Sequence, residues 1–368
     1  MTMTIFAKTD SFFRSLLLCI SVFLFVPVHA QHIAAGRIHS LYLDPDGNVW
    51  VWGRGGPSGV PNERIPHIVM PNGKAVFAAP QEDHAFVLKQ DGTLWGWGDS
   101  NYGELGVINR KGYVRARYID EPKYVTKDFG FITGSKTIFA LKQDGSLWVW
   151  GSFGIERGDK INKEFIKPVK VMNNVAQVSS AFTHTLVLKK DGTLLAWGDN
   201  QCGALGIGNT KDHVKPVRVN VRALGKRKIA KIFARSGDSF IIADDGTVWN
   251  WGEPGLTYPG CHDEPRLTPV RLDIDNVKDI ALSFRRAIFL KKDGTVWVVS
   301  PFRMKPDVPA YSAKLMDDVS EIAAGEYHYI ALKKDGTVWA WGNNQFGQIG
   351  NGTDRNADDP VQVHFPEQ

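Results

Sequence analysis

An Asp-Gly dipeptide followed by tryptophan recurs seven times along the chain. Each copy continues with one small polar residue, one apolar residue, and a W-x-W pair or its remnant. The aspartates of the seven copies are Asp46, Asp91, Asp144, Asp191, Asp245, Asp293 and Asp335. Successive copies lie 42 to 54 residues apart and include all twelve tryptophans of the chain. This period is typical of propeller blades and longer than that of most helical hairpin repeats.

The residues around each dipeptide favour β-structure. An Asp-Gly between two apolar runs predicts a β-hairpin with a type I′ turn, which needs positive φ at both central residues. In the last copy, Trp339 and Trp341 alternate with Val338 and Ala340. Because neighbouring residues of a strand point to opposite faces, both faces of this strand are apolar. Both faces must therefore be covered, as they are when blades stack face against face.

Each unit has room for four strands. In the last unit the pattern predicts strands at 319–323, 328–333, 337–342 and 361–365. A proline opens the outer strand at Pro168, Pro216, Pro269 and Pro360, where it costs no ladder hydrogen bond. The sequence thus predicts an all-β, seven-bladed propeller of four-stranded blades. If the blade boundary precedes the fourth strand, residues 361–365 complete the N-terminal blade, so that the C-terminal strand closes the ring.

The first thirty residues predict export. Lys8 and Arg14 precede an apolar run at 16–28, and Val28-His29-Ala30 has the small-residue pattern that signal peptidase cleaves. The run is shorter than the roughly 20 residues that span a bilayer. We therefore expect a signal peptide at 1–30 and a single propeller domain at 31–368, without a membrane span. The mature protein is expected to be a periplasmic or secreted monomer.

Glycine-rich segments carry a family resemblance. Residues 341–352 read WGNNQFGQIGNG, residues 197–208 repeat that pattern, and residues 97–106 form a shorter copy. Together with Ala323 to His328 and the Asp-Gly blocks, they resemble regulator of chromosome condensation repeats, a seven-bladed propeller family. Nuclear members of that family act as nucleotide-exchange factors for a small GTPase and touch chromatin. Similar exported members bind proteins and include inhibitors of secreted hydrolases, so the predicted export signal favours a protein-binding function.

No recognisable chemistry motif accompanies the repeats. His39, His84, His184 and His328 each lie seven residues before the Asp of an Asp-Gly turn, and therefore about one blade apart. Such a ring cannot place its members at the ~2.1 Å that zinc requires, which predicts structural histidines. A nucleophile elbow, a zincin helix and a phosphate-binding loop are also lacking. We expect no catalytic residue, metal or cofactor, and enzyme activity is the least favoured hypothesis.

Charge and cysteine content bear on partners. The formal net charge of +5 is spread along the chain, whereas a nucleic-acid binder usually has a concentrated basic stripe. We therefore expect no nucleic-acid partner.

Cys202 and Cys261 follow the tryptophans of consecutive units, and export would allow a disulfide between them. Two free or buried thiols are the alternative.

Strand parity predicts a binding face. In an up-and-down blade, the turn between strands one and two lies at the end opposite the Asp-Gly turn. The predicted binding residues in these turns are Arg37, Glu82, Asp83, Lys136, Phe182, Phe284, Arg285, Glu326 and Tyr327. Neighbouring loops add Tyr102, Phe153, Arg157, Tyr258, His262, Phe302 and Arg303.

Exposed aromatic residues and arginines on a rigid scaffold are typical of binding hot spots. They favour a protein partner, with a glycan or envelope polymer as the alternative ligand. A structural alternative is that Phe182 and Phe284 plug the channel mouth.

Overall fold

The structure, a computed structural model, describes residues 31–54, 63–80, 82–106, 118–153, 163–235, 237–253, 265–284, 286–300 and 311–367. Within these ranges the chain forms seven four-stranded antiparallel sheets and one 3-10 turn at Arg222–Leu224. This confirms the predicted all-β propeller with seven four-stranded blades. No helix in the described ranges is long and apolar enough to cross a membrane.

Each blade consists of four consecutive strands. Blades 1 to 4 contain β1 (Ile33–Ala35), β2 (His39–Leu43), β3 (Val49–Gly53), β4 (Glu63–Met70), β5 (Gly73–Ala78), β6 (His84–Lys89), β7 (Thr93–Asp99), β8 (Tyr118–Lys127), β9 (Phe131–Gly134), β10 (Thr137–Leu141), β11 (Leu147–Phe153), β12 (Lys163–Met172), β13 (Val175–Ser180), β14 (His184–Lys189), β15 (Leu194–Gly198) and β16 (His213–Arg218).

Blades 5 to 7 repeat the pattern, with β17 (Ile229–Arg235), β18 (Asp238–Ala243), β19 (Val248–Gly252), β20 (Arg266–Arg271), β21 (Val277–Leu282), β22 (Ala287–Lys291), β23 (Val296–Ser300), β24 (Tyr311–Met316), β25 (Val319–Ala324), β26 (His328–Lys333), β27 (Val338–Gly342) and β28 (Ala357–Gln362). The outer strands with a proline begin earlier than predicted, because Pro360 lies inside β28 and Pro168 inside β12. The outer edge of these strands has no further strand to pair with, so proline is tolerated there.

Among the described residues, the core consists of seven apolar clusters, one between each pair of neighbouring blades. In blade 7, Trp341 packs against blade 6, whereas Val338 and Ala340 pack against blade 1. The predicted alternation along this strand is therefore confirmed. Both faces of a blade are shielded from water because each is covered by a neighbouring blade.

Glycine-rich loops add a polar link between blades. Blades 2, 4 and 7 carry such a loop after the third strand, and in each a backbone carbonyl accepts the indole N–H of the following blade. These bonds run from Trp150 Nε1 to Glu104 O (2.6 Å), from Trp251 Nε1 to Ala204 O (2.7 Å) and from Trp52 Nε1 to Gln348 O (2.9 Å). Trp97 of blade 2 packs against blade 1, whose residues 55–62 lie outside the described ranges, and its buried Nε1 has no partner among the described residues.

The Asp-Gly hairpins differ from the predicted turn type. Gly192 has a φ of +86°, whereas Asp191 is not among the described residues with positive φ. The amide of Gly192 donates to Lys189 O at 3.0 Å and that of Lys189 to Thr193 O at 2.9 Å. This is a three-residue loop, a type I turn followed by a left-handed glycine, so the type I′ prediction is wrong. Asp191 Oδ1 accepts the Thr193 amide at 2.9 Å and thereby stabilises the turn without entering the left-handed region.

Ring closure involves the C-terminal segment but no strand exchange. Strand β28 pairs with β27, so the blade boundary falls after the fourth strand. Beyond β28, the ring of Phe365 lies 5.3 Å from Tyr42 and 5.2 Å from Trp50, both in blade 1. His32 also contacts Glu321 of blade 7, at 2.6 Å from Nδ1 to Oε1. Side-chain packing therefore joins the last blade to the first.

Replacing Trp341 with alanine should strongly destabilise the protein. Its ring is 4% exposed and stacks on Tyr329 at 5.3 Å between ring centroids. We expect Trp341→Ala to lower the free energy of unfolding by about 3 to 5 kcal/mol, as for other emptied aromatic core sites. Urea unfolding followed by far-UV circular dichroism measures this. Trp339→Ala, at a half-buried site in the same strand, is the control and should cost less; equal losses would contradict the inter-blade assignment.

Candidate functional site

The two ends of the propeller differ in what their backbone contacts. At the Asp-Gly end, the turn glycine accepts the amide of the first residue of the next blade. Examples are Val175 N to Gly145 O (2.9 Å) and Val319 N to Gly294 O (2.9 Å). This end is therefore occupied by connections between blades. The turns between first and second strands lie at the opposite end, and we call their residues 37–38, 82–83, 135–136, 182–183, 237, 284 and 326–327 the turn ring.

Blades 1 to 3 are joined across the turn ring by polar contacts. Arg37 Nε donates to Asp83 Oδ1 at 3.0 Å, and Arg37 Nη2 donates to Asp83 Oδ2. The Arg37 amide donates to Glu82 O at 3.1 Å. Ser135 Oγ donates to Glu82 Oε1 at 2.8 Å. The predicted residues Arg37, Glu82 and Asp83 are thus brought together.

Lys136 links the aromatic residues of blades 2 and 4. Its Nζ lies 4.7 Å from the ring centroid of Tyr102 and 4.6 Å from that of Phe182. Both distances are within the range of cation–π attraction. Phe182 is 45% exposed, so a large part of its ring is in contact with solvent.

Blades 6 and 7 contribute a second aromatic pair. The rings of Phe284 and Tyr327 are 5.6 Å apart, and Tyr327 is 45% exposed. The Phe284 amide donates to Glu326 O at 2.8 Å. Half-buried Phe284 therefore packs on Tyr327, while Tyr327 keeps a large surface in solvent.

Partial burial affects the charges of the turn ring. It raises the pKa of both Glu82 and Glu326. The hydrogen bond to Asp83 raises the pKa of Arg37. The charge of Arg37 is paired with Asp83, and the raised pKa values of Glu82 and Glu326 reduce their tendency to ionise. The turn ring is therefore a surface of low net charge, suited to packing and paired polar contacts.

Other predicted site residues fall at or beyond the limits of the description. Phe153 ends β11 at the same end of the propeller as the turn ring. Arg157, Tyr258, His262, Arg285, Phe302 and Arg303 lie outside the described residues. No group of three or more His, Cys, Asp or Glu side chains within the described ranges could hold a metal ion.

The four repeat histidines are buried and structural. His39, His84, His184 and His328 are at most 2% exposed, and burial lowers their pKa values to between about 3 and about 4. Ser239 Oγ donates to Ala204 O at 2.8 Å, so it accepts its 2.8 Å bond from His184 Nε2. His184 is therefore neutral, with the proton on Nε2. Ser40, Gln348 and His328 form the same arrangement between blades 7 and 1.

Because these histidines are buried and neutral, we expect the folded protein to lose stability in mild acid. Unfolded His39 takes up a proton near pH 6.5, whereas the folded residue does so only near pH 4. The buried, neutral His39 therefore stabilises the folded state fully above pH 6.5. Below that pH, the free energy of unfolding falls by about 1 kcal/mol per pH unit. His39→Gln should therefore reduce the fall in unfolding free energy between pH 7 and pH 5, measured by urea titration. His213→Gln, on an outer strand, is the control; an unchanged pH dependence in His39→Gln would contradict the prediction.

The structure places Cys202 in a disulfide, within the glycine-rich loop of blade 4. Its predicted partner Cys261 lies outside the described residues, so the pairing stays a prediction. We expect that thiol counting on unfolded, unreduced protein beginning at residue 31 will detect no free thiol, and that reduction will release two. Two titratable thiols before reduction would contradict the pairing.

Sequence reasoning missed two buried residues near the site. Glu104 is 1% exposed and Arg235 is 4% exposed. Burial raises the pKa of Glu104 to about 8, and Glu104 Oε2 accepts the Tyr102 amide at 2.9 Å. Comparing the repeats could have found Arg235. The equivalent residues are Gly36, Gln81, Gly134, Ala181, Ser283 and Gly325, five of which are small.

Comparison with known proteins follows the same repeats. Two family models of the regulator of chromosome condensation (RCC1) repeat match residues 82–104, 175–204 and 319–348, and residues 191–243 and 335–368. The matched segments include the glycine-rich loops of blades 2, 4 and 7. These segments of the chain carry RCC1 repeats. The resemblance noted in the sequence is thereby confirmed.

Curated RCC1 relatives are similar along much of the chain. RUG3, a mitochondrial RCC1 domain-containing protein of Arabidopsis thaliana, is 27% identical over an alignment of 277 positions, which covers 69% of this chain and 62% of RUG3. The ultraviolet-B receptor UVR8 of the same plant is 24% identical over an alignment of 331 positions, which covers 82% of this chain and 72% of UVR8. The chain thus spans less than two thirds of RUG3.

Solved structures share the fold. Prp20p from Saccharomyces cerevisiae superposes with a TM-score of 0.70 at 20% identity, covering 88% of this chain and 87% of Prp20p. The ectodomain of the Arabidopsis thaliana receptor kinase ACR4 gives a TM-score of 0.52 at 15% identity, covering 91% of this chain and 99% of that one. Identities this low establish the fold alone.

Proposed function

We propose that this RCC1-repeat protein is an exported, non-enzymatic propeller that binds a protein partner through the turn ring. The observation that carries the proposal is the ring itself. Two large aromatic side chains, Phe182 and Tyr327, are each 45% exposed on turns held by a rigid scaffold. Aromatic side chains in such positions are typical anchors of protein interfaces.

The contacts around these aromatics support a preorganised surface. Lys136 lies over Phe182, Phe284 packs on Tyr327, and Arg37 is held by Asp83. Side chains that are already ordered lose little conformational entropy when a partner binds. The variation of the ring from blade to blade gives a surface of defined shape and charge.

Related propellers support a protein as the ligand. The Prp20p structure was described together with its binding to Gsp1p and histones, and another describes Kap60 bound to Prp20. For this chain, the proposed export places the partner in the periplasm or outside the cell. A secreted hydrolase is the partner class implied by the exported members that the sequence resembles.

Export itself is testable through the N-terminus. The apolar run at 16–28 and the small Ala30 lead us to propose cleavage before Gln31. Intact-mass measurement of protein recovered from the producing cells should give a chain that begins at Gln31. A cytoplasmic product that retains Met1 would contradict both the cleavage and the export.

Substitutions in the turn ring should weaken binding without unfolding the protein. We expect Phe182→Ala and Tyr327→Ala each to weaken capture of the partner by about 2 kcal/mol or more, as hot-spot truncations do. The measurement is a pull-down from envelope and medium fractions, followed by titration of the identified partner. Melting temperatures of the variants should stay close to that of the parent.

Lys334→Ala is the matched control, because exposed Lys334 immediately precedes the Asp of an Asp-Gly turn at the opposite end. It should leave capture unchanged. Loss of capture in Lys334→Ala, with capture retained in the ring variants, would show that the working face is wrong. Capture of a polysaccharide in place of a protein would show that the ligand class is wrong.

A further inference from the structure

Blade 5 departs from the other blades at two linked positions of the turn between its first and second strands. Where blades 1 and 7 have a glycine and a histidine, blade 5 has Arg235 and Asp238. A Cβ at Gly36 would lie 2.1 Å from the ring of His39, so blade 1 needs its glycine to make room for the histidine. Blade 5 has neither this glycine nor the histidine, and its side chain at the glycine position is large and charged.

The guanidinium of Arg235 is buried but only partly bonded. Its Nη1 donates to Leu282 O of blade 6. Its Nε and Nη2 have no hydrogen-bond partner among the described residues, although the side chain is only 4% exposed. Buried polar groups normally have partners, and a buried charge without one is costly. The Nε–Nη2 edge of Arg235 is therefore a buried pair of donors without an acceptor among the described residues.

The neighbouring groups leave Arg235 charged. Burial lowers its pKa to about 10, so it remains a cation at neutral pH. Burial raises the pKa of Asp238 well above its usual range, which favours the neutral acid, and Asp238 Oδ1 is in contact with Asn250 Nδ2 at 3.4 Å. Glu326 and Tyr327 of the turn ring are among the groups that influence Arg235 electrostatically. A cation whose Nε and Nη2 have no hydrogen-bonded carboxylate among the described residues thus lies close to the proposed binding surface.

We propose that Arg235 receives a carboxylate of the bound partner at its Nε–Nη2 edge, an inference that rests on the proposed function of the turn ring. Arg37 shows the same geometry within this chain, because its Nε and Nη2 donate to the two carboxylate oxygens of Asp83. This edge has two parallel N–H groups that match the two oxygens of a carboxylate. The partner would present an aspartate, a glutamate or its C-terminus.

A carboxylate reaches Arg235 only if side chains of the turn ring move. The atoms of the unbonded edge are closed to solvent in the free protein. Interface side chains commonly change rotamer on binding while the backbone stays in place. The partner's carboxylate would then compensate a charge that the free protein leaves unpaired.

Acetate tests the site without a partner. Melting temperatures of the purified protein are measured in sodium acetate and in sodium chloride at equal ionic strength. Acetate tenfold above its Kd should raise the melting temperature by about 2 °C more than chloride does. Arg235→Met and Arg235→Lys should abolish this difference, since lysine keeps the charge but lacks the two-pronged edge. Arg218→Met, at an exposed arginine of β16, should retain it.

Three results would overturn the inference. Equal shifts in acetate and chloride would exclude a carboxylate site, as would an acetate effect that persists in Arg235→Met. A melting temperature of Arg235→Met in chloride well below that of the parent would show a packing role. Removal of an unpaired buried charge should instead leave this temperature equal or higher.

Partner capture decides the source of the carboxylate. Arg235→Met should weaken capture at least tenfold, in the same titration that is used for the turn-ring variants. If acetate binds but capture is unchanged in Arg235→Met, while Phe182→Ala and Tyr327→Ala weaken it, the partner does not supply the carboxylate. If none of the three variants weakens capture, the turn ring is not the binding face and the proposed function fails.

Discussion

The packing of a tryptophan-bearing strand face on the aliphatic face of the preceding blade holds this molecule together. Trp341 stacks on Tyr329 and contacts the apolar residues of blade 6, and Trp52 occupies the equivalent place between blades 1 and 7. Because both faces of every blade are apolar, no blade is covered until its two neighbours are in place. Closure of the ring is therefore a condition for the stability of each blade. The segment after β28 helps to close the ring, because its Phe365 packs on Tyr42 and Trp50 of blade 1.

Polar bonds give this packing its register. Indole N–H groups of blades 1, 3 and 5 donate to carbonyls in the glycine-rich loops of the preceding blades. Buried neutral histidines add a second link, since His184 donates to Ser239 across the boundary between blades 4 and 5. Gly342 permits the close approach, because a Cβ there would lie 2.5 Å from Tyr327 O. Backbone hydrogen bonds hold the turn ring in place, as those from Asn343 N to Tyr327 O and from Asp199 N to Thr183 O do (both 2.9 Å).

A rigid backbone lets the turn ring vary in chemistry without loss of fold. The Asp-Gly sequence recurs in all seven blades, and in blades 1, 2, 3, 5 and 6 the carbonyl of the turn glycine accepts an amide at the start of the next blade. Fewer backbone hydrogen bonds between neighbouring blades are found in the described part of the turn ring. Its residues range from the paired Arg37 to the exposed Phe182. Arg235 is the clearest exception to the repeat, a buried cation in a position that is small in most other blades. Stability alone would favour an apolar side chain there, which is why a binding function explains it better.

The sequence by itself determined the seven blades, their four strands and their two apolar faces, because the Asp-Gly turn and the W-x-W alternation are local patterns. It also identified the end of the propeller on which Arg37, Lys136 and Tyr327 lie, since strand parity follows from the strand count. Only the tertiary structure decided that β28 stays with its own blade, that Arg37 pairs with Asp83, and that Arg235 is buried with one edge unbonded. The physical reason is distance along the chain. Arg37 and Asp83 are 46 residues apart, and contacts of that kind depend on how blades stack rather than on any pattern within one repeat.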